Sequence, residues 1–152
     1  MNEKARVDYV EKVGVFFEQN GYPPVAGRLI GYLMTSNEKG RTFYEIHQFV
    51  NASKSSVSNA LNKLVEKGLV KYLTISGDRK RYFFLDLKPW IGQTKERAEF
   101  FSSFASLVGH CVSIRDDQDS EFARDLKKLE AFHKYLAEEM PKIIDKWEKM
   151  HS

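Results

Sequence analysis

The sequence has one cysteine, no long hydrophobic run and no apolar leader. Cys111 alone can form neither an intramolecular disulfide framework nor a cysteine-based zinc site. The first twelve residues carry Glu3, Lys4, Arg6, Asp8, Glu11 and Lys12, where a secretory signal would be apolar. The longest charge-free stretch toward the C-terminus, 100–114, has 15 residues and is broken by serines, Gly109 and His110. It is too short and too polar to cross a bilayer. Internal repeats and low-complexity tracts are also lacking. These absences predict a cytoplasmic protein with no membrane partner.

Catalytic signatures are missing as well. There is no nucleophile elbow, phosphate loop or conspicuous pair of carboxylates, and Asp116, Asp117 and Asp119 read as helix-entry residues. His47, His110, His133 and His151 have no close ligand spacing. The expectation is a protein that is not an enzyme and needs no metal and no cofactor. Cys111 falls on an apolar helical stripe, which predicts a buried, inert thiol.

What is there fits one domain, or one small domain with a helical extension: 152 residues, 42% hydrophobic and 30% charged. A chain of this size buries roughly two-thirds of its unfolded surface, enough for a core without staples. The net charge of +3 conceals an asymmetry. Residues 1–88 hold 14 Lys and Arg against 9 Asp and Glu; residues 89–152 hold 10 against 12. The whole excess lies within 41–82, which has 8 basic and 3 acidic residues. That window suits a polyanion.

The periodicity predicts a helix over 3–19, with Val7, Val10, Val13 and Phe17 at helical spacing and Asn20-Gly21 as its stop. Pro23-Pro24 opens a second helix that runs to about Thr35. Gly27 and Gly31, four apart on that helix, point to close packing against another helix. After a polar turn at 36–41, Thr42 and Glu45 have capping-box spacing and start a short helix closed by Asn51. Ser53 caps a further helix from Lys54 to about Lys67, stopped by Gly68. Then the period shortens to about two: a strand over 69–76, a turn at 77–80, and a second strand over 81–87. Two long helical patterns follow, at about 94–114 and 119–139, with Pro141 as a kink or restart.

A short helix, a tight turn, an amphipathic helix and a hairpin make a winged helix-turn-helix. The fold class expected is therefore mainly α (α+β), a winged helix-turn-helix with a two-stranded wing and flanking N- and C-terminal helices. The division expected is 1–21 for the N-terminal helix, 22–88 for the DNA-binding domain and 89–152 for a C-terminal helical dimerisation region.

The helix after Ser53 buries Val57, Ala60, Leu61, Leu64 and Val65, and turns Lys54, Ser55, Ser58, Asn59, Asn62 and Lys63 outward. Ser and Asn are weak helix formers, and a merely solvated face would more naturally use Glu, Lys and Gln. In a major groove they can reach base edges, and Asn can pair bidentately with adenine. The expected DNA-contacting residues are Ser53, Lys54, Ser55, Ser56, Ser58, Asn59, Asn62 and Lys63 on this helix. On the hairpin they are Arg79, Lys80 and Arg81, which suit phosphates or a minor groove. Phe101, Phe104, Phe122, Leu126, Leu129, Ile143, Ile144 and Trp147 exceed what a small winged helix needs to bury, and predict a homodimer.

The runs Gly21-Tyr-Pro-Pro-Val-Ala-Gly27-Arg28-Leu-Ile-Gly31-Tyr32-Leu33, Ser53-Lys-Ser-Ser-Val-Ser-Asn-Ala-Leu61, Glu66-Lys-Gly-Leu-Val70 and Gly77-Asp-Arg-Lys-Arg-Tyr82 occur in that order. Together they resemble the glycine-betaine-synthesis-regulator (GbsR) branch of the MarR-type regulators. The resemblance covers roughly 20–87 closely and the flanking helices loosely. It implies a bacterial or archaeal homodimeric transcriptional regulator that binds double-stranded DNA and uses its N- and C-terminal helices for dimerisation; a homodimer in turn predicts a pseudo-palindromic operator. It places Ser53 to Lys63 on the recognition helix and Asp78 to Arg81 on the wing, with Asp78 as an orienter of Arg79. Arg28 matches a family position without an assigned role. A small-molecule effector is implied for some relatives, but its identity here is open, since the aromatic residues at helical spacing read as core. The second reading of the same residues is a winged-helix protein-interaction module, and the third an RNA-binding winged helix.

Overall fold

The computed structural model describes all 152 residues, in two compact units, Met1–Pro89 and Trp90–Ser152. The first unit runs α1 (Glu3–Gln19), α2 (Pro24–Met34), β1 (Arg41–Thr42), α3 (Phe43–Val50), α4 (Lys54–Glu66), β2 (Val70–Thr74) and β3 (Arg81–Leu85). The second is built from α5 (Lys88–Ile114) and α6 (Glu121–His151). No helix is long and apolar enough to cross a membrane.

α2 forms the centre of the first unit. Its sequence is apolar nearly all round, and Ala26, Gly27, Leu29, Ile30, Gly31, Tyr32 and Leu33 are buried. α1, α3, α4 and β3 all pack on it. A helix enclosed in this way needs small residues wherever another backbone comes close. Gly27 meets the Phe17 side chain and the Gly14 backbone, and Gly31 meets Val10 and Val13. The four-residue spacing of Gly27 and Gly31 is thus the seam for α1. Arg28 lies beside that seam, against Gly14. Its guanidinium donates to both Glu11 oxygens, at 3.1 and 2.6 Å, to Glu18 and to the Pro24 carbonyl. The Arg28 hydrogen bond holds the Glu11 carboxyl below the usual carboxylate range, and Glu11 and Glu18 in turn push Arg28 upward. The family-matched arginine is a clamp between two helices.

The remaining local structure follows from cap chemistry. Thr42 and Glu45 complete a capping box on α3: Thr42 Oγ1 accepts from Glu45 N–H and a Glu45 oxygen accepts from Thr42 N–H, both at 3.2 Å. Asn51 ends α3 in the left-handed region at φ 55°, a conformation asparagine tolerates. Ser53 caps α4 by accepting from Ser56 N–H at 3.1 Å. Val57, Ala60, Leu61 and Leu64 of α4 are buried, beside Leu29 and Ile30 of α2, Ile46 of α3, and Leu69 and Val70 at the start of the hairpin.

The structure corrects the sequence at four places. The wing's two strands belong to a three-stranded antiparallel sheet in the order β1-β3-β2. β1 pairs Arg41 with Phe83 and Thr42 with Tyr82. Two residues are too few for an alternating pattern, and the extended backbone that a helix cap requires is what lets Thr42 join the sheet. α5 begins at Lys88, six residues before the predicted start, because Pro89 fits a first helical turn. α6 is assigned as one helix through Pro141 to His151. Its last turns are held to α5 by buried Ile144 and by Lys95, which pairs with Glu148 at 3.0 Å and Asp145 at 3.7 Å. Cys111 is exposed rather than buried. The buried stripe of α5 is Ala98, Ala105, Val108 and Val112, and Cys111 lies next to that stripe instead of on it.

Within the second unit, Phe101 and Phe104 meet His133 edge-on at 5.5 and 4.9 Å between ring centroids, and Gly109 lies against Glu130. Many apolar side chains nevertheless face outward: Phe100, Leu107 and Ile114 on α5, and Phe122, Phe132, Tyr135, Ile143 and Met150 on α6 are all more than half exposed.

The close α1–α2 seam makes a testable demand. Alanine at Gly27 gains helix propensity, yet its Cβ would sit 2.8 Å from Phe17 Cβ and 3.0 Å from the Gly14 Cα. Overpacking of this kind costs about 1–3 kcal/mol and outweighs the propensity gain. Urea unfolding of Gly27→Ala is expected to show a lower midpoint with an unchanged slope.

Candidate nucleic-acid interface

The two faces of α4 separate as helical geometry requires. Val57, Ala60, Leu61 and Leu64 point into the core, so the residues between them must point away. Lys54, Ser55, Ser56, Asn59, Asn62 and Lys63 are exposed and Ser58 is half-buried. The face is not uniform. Ser53 Oγ donates to Ser56 Oγ at 2.8 Å, accepts from its N–H, and lies 3.2 Å from Ser55 Oγ. Ser53 and Ser56 are therefore engaged in starting the helix. The side chains of Lys54, Asn59, Asn62 and Lys63 make no hydrogen bond or ion pair within the chain.

The hairpin tip is shaped by Asp78. Its N–H donates to the Ile75 carbonyl at 2.9 Å across a turn in which Gly77 takes φ +83°. Asp78 Oδ1 accepts from Lys80 N–H at 2.9 Å, and Oδ2 accepts from the Tyr82 hydroxyl at 2.6 Å. The Tyr82 hydrogen bond, with the Lys80 amide behind it, holds the Asp78 carboxyl below its usual range; the same bond pushes the Tyr82 phenol up. Asp78 thus organises the turn through Tyr82 and Lys80 and makes no contact with Arg79, whose side chain is exposed and unpaired. Arg81, the first residue of β3, lays its guanidinium over the Tyr72 ring at 4.8 Å. Arg79 lies in the turn, outside β3, so strand alternation does not put it on a common face with Arg81.

Tertiary structure brings part of the expected set together. Ser58 and Asn62 of α4 and Arg79, Lys80 and Arg81 of the hairpin line one cleft of about 960 Å³. The start of α3, Thr42 to Glu45, lines the same cleft. Ser53, Lys54, Ser55, Ser56, Asn59 and Lys63 are not among its lining residues and lie along the exposed length of α4. The acidic groups at the cleft are already engaged. Glu45 pairs with Arg41 at 2.9 Å, and although burial pushes its carboxyl up, the Arg41 and Thr42 hydrogen bonds bring it below its usual range. The hairpin tip, with Arg79, Lys80 and Arg81 against the Asp78 carboxylate, keeps a net positive charge.

The cleft also contains a residue that the sequence pattern did not single out. Tyr44 follows the inward Phe43 on α3 and is 69% exposed. The available signal was its position: Phe43, Ile46, Phe49 and Val50 take the inward face, and Tyr44 falls off it.

Two family profiles match consecutive stretches of the chain. The first, for the MarR family, covers residues 20–81, the winged helix. The second, for MmpR5-like MarR family transcriptional regulators, covers residues 88–150, the two long helices. The chain belongs to the MarR family. A curated relative, the HTH-type transcriptional regulator MmpR5 of Mycobacterium tuberculosis, is 24% identical over 130 residues, which span 86% of this chain and 79% of the relative. A crystal structure described as that of a transcriptional regulator superposes with a TM-score of 0.74 at 21% identity, over 95% of this chain and 99% of the other. That likeness establishes the shared fold. As a MarR-family member the chain is a winged-helix, DNA-binding transcriptional regulator and not an enzyme.

The cap on α4 is open to direct test. Ser53→Ala removes the acceptor for Ser56 N–H and is expected to lower stability by about 1 kcal/mol, read as a drop in the urea midpoint. Ser55→Ala removes no cap bond to the backbone and is expected to leave the midpoint within about 0.5 kcal/mol.

Proposed function

We propose that this MarR-family chain acts in the cytoplasm as a homodimer that reads a pseudo-palindromic operator, with one winged helix on each half-site. The observation that carries this reading is the unpaired Asn59 and Asn62 face of α4 beside an unpaired Arg79 and Lys80 on the hairpin tip. An amphipathic helix of this diameter fits a major groove, and a basic hairpin beside it falls on the flanking backbone or minor groove. In this reading Asn59 and Asn62, three apart on one side of the helix, meet base edges, with Ser55 and Ser58 beside them. Lys54, Lys63, Arg79, Lys80 and Arg81 position the protein on phosphates. Ser53 and Ser56 contribute by setting the helix start.

Residues 22–88 form the DNA-binding part, and the helices of 1–21 and 89–152 supply the dimer contact. The exposed apolar side chains of α5 and α6 support it: Phe122 is 58% exposed, Ile143 65% and Trp147 42%, while Ile144 is spent inside the protomer. Obligate interfaces of this kind resemble a core cut in half. Within the family, the likeness to the GbsR branch rests on runs such as 21–33 and 77–82 alone; the winged helix matches the general MarR profile and the two long helices the MmpR5-like one.

Three measurements test the proposal. Light scattering at micromolar concentration is expected to give about twice the 17.7 kDa chain mass; a monomer would refute the dimer. Half-site centres in a selected operator are expected about 10 bp, or a multiple of a helical turn, apart. In DNA binding, Asn59→Ala is expected to cost about 1–3 kcal/mol on the cognate site and relax preference at one base position per half-site. Arg79→Ala is expected to weaken cognate and random duplex alike and to reduce the salt slope by about one. Unchanged binding by both variants would move the DNA surface off this face.

A further inference from the structure

We propose that Tyr44 contacts DNA, its hydroxyl donating to a backbone phosphate of the strand that passes through the cleft between α4 and the wing. The inference rests on the DNA reading above and adds a residue and a location to it. A helix in the major groove and a hairpin reaching the adjacent minor groove lie on either side of one sugar–phosphate strand. In this protein the space between those two elements is the cleft lined by Tyr44, Ser58, Asn62, Arg79, Lys80 and Tyr82. A strand held between them passes the first turn of α3, which lines the same cleft.

The chemistry of the cleft fits a polyanion. The carboxylate in its lining, Glu45, is paired with Arg41, and the nearby Asp78 carboxylate, held by the Tyr82 hydroxyl and the Lys80 amide, is outnumbered by Arg79, Lys80 and Arg81. Arg79 and Lys80 remain unpaired in the cleft. Tyr44 is the exposed aromatic there, 69% accessible, with no ring partner and no hydrogen bond for its hydroxyl within the chain. Nothing in the packing of α3 requires a tyrosine at this position. A phenol is protonated at neutral pH and is a ready donor to a phosphate oxygen. Ser58, half-buried across the cleft, presents a second neutral hydroxyl to the same path.

A neutral donor leaves a particular signature. It strengthens binding to any sequence, because phosphates carry no base information. It releases no counterion, so its loss lowers affinity without changing the salt slope, unlike the loss of Arg79.

The test uses full-length protein and a duplex that it selects from a randomised pool, alongside a random duplex. Fluorescence anisotropy over a range of salt compares the wild type with Tyr44→Phe, Asn59→Ala and Arg79→Ala. Tyr44→Phe removes one exposed oxygen and is expected to weaken both duplexes roughly threefold to tenfold, with the salt slope of the wild type. Ethylation of one phosphate per half-site, which removes its charge as well as an acceptor, is expected to weaken the wild type by a larger factor than it weakens Tyr44→Phe, which ties the loss to a contact rather than to folding. Wild-type binding by Tyr44→Phe, with Asn59→Ala and Arg79→Ala impaired, would overturn this inference and leave the DNA reading intact. Wild-type binding by all three would overturn both. A change in base preference, or a salt slope reduced as in Arg79→Ala, would overturn the phosphate assignment.

Discussion

Everything in the N-terminal unit leans on α2. A helix that is apolar on nearly every side has to be covered on nearly every side, and here α1, α3, α4 and β3 cover it. Such crowding is sterically feasible only because Gly27 and Gly31 let α1 approach to backbone contact on one flank. Leu29, Ile30 and Leu33 then remain for packing elsewhere. The clamp of Arg28 on Glu11 and Glu18 closes the α1 flank with charge rather than with further hydrophobic bulk. The pair is partly exposed, so its role is to fix how α1 lies along α2 more than to add stability.

Because α2 fixes α3 and α4, it also fixes which residues are left outside. α4 buries four side chains in its inward stripe, and that commitment sets the helix rotation to within a few tens of degrees. Asn59 and Asn62 are exposed because Val57, Ala60, Leu61 and Leu64 are not. The hairpin is fixed in the same way: β3 is held between β1 and β2, so the tip cannot swing freely from the sheet. Tyr82 links the two levels. Its backbone pairs with Thr42, the cap of α3, and its hydroxyl holds Asp78, which shapes the turn that presents Arg79. A sheet pairing, a helix cap and the basic tip are thereby one connected arrangement.

The second unit obeys a different balance. The side chains its two helices bury are mostly small, Ala98, Ala105 and Ala123, together with Val108, Val112 and Ile144. The large apolar side chains are not consumed by that pairing. A pair of long helices that leaves Phe100, Phe122, Phe132 and Ile143 in water is incomplete by itself, and completion by a second copy is the arrangement proposed above.

The sequence by itself determined the element types, because caps and periodicity are local. Thr42 with Glu45, Ser53, Asn51, Gly68 and Gly77 act within a few residues of their own positions, and the switch from helical to alternating period is visible without any knowledge of neighbours. It likewise determined that α4 has two chemically distinct faces. Tertiary structure decided what depends on residues far apart in the chain. β1 exists only because Tyr82 and Phe83 arrive beside Arg41 and Thr42. Arg81 is drawn onto Tyr72 by the pairing of β2 with β3, which no turn rule encodes. Cys111 is exposed because the rotation of α5 buries Ala105, Val108 and Val112, and a stripe read from one helix alone leaves that rotation loose by a residue. Tyr44 joins Asn62 and Arg79 at one cleft because three elements converge there, and convergence is a property of packing rather than of spacing.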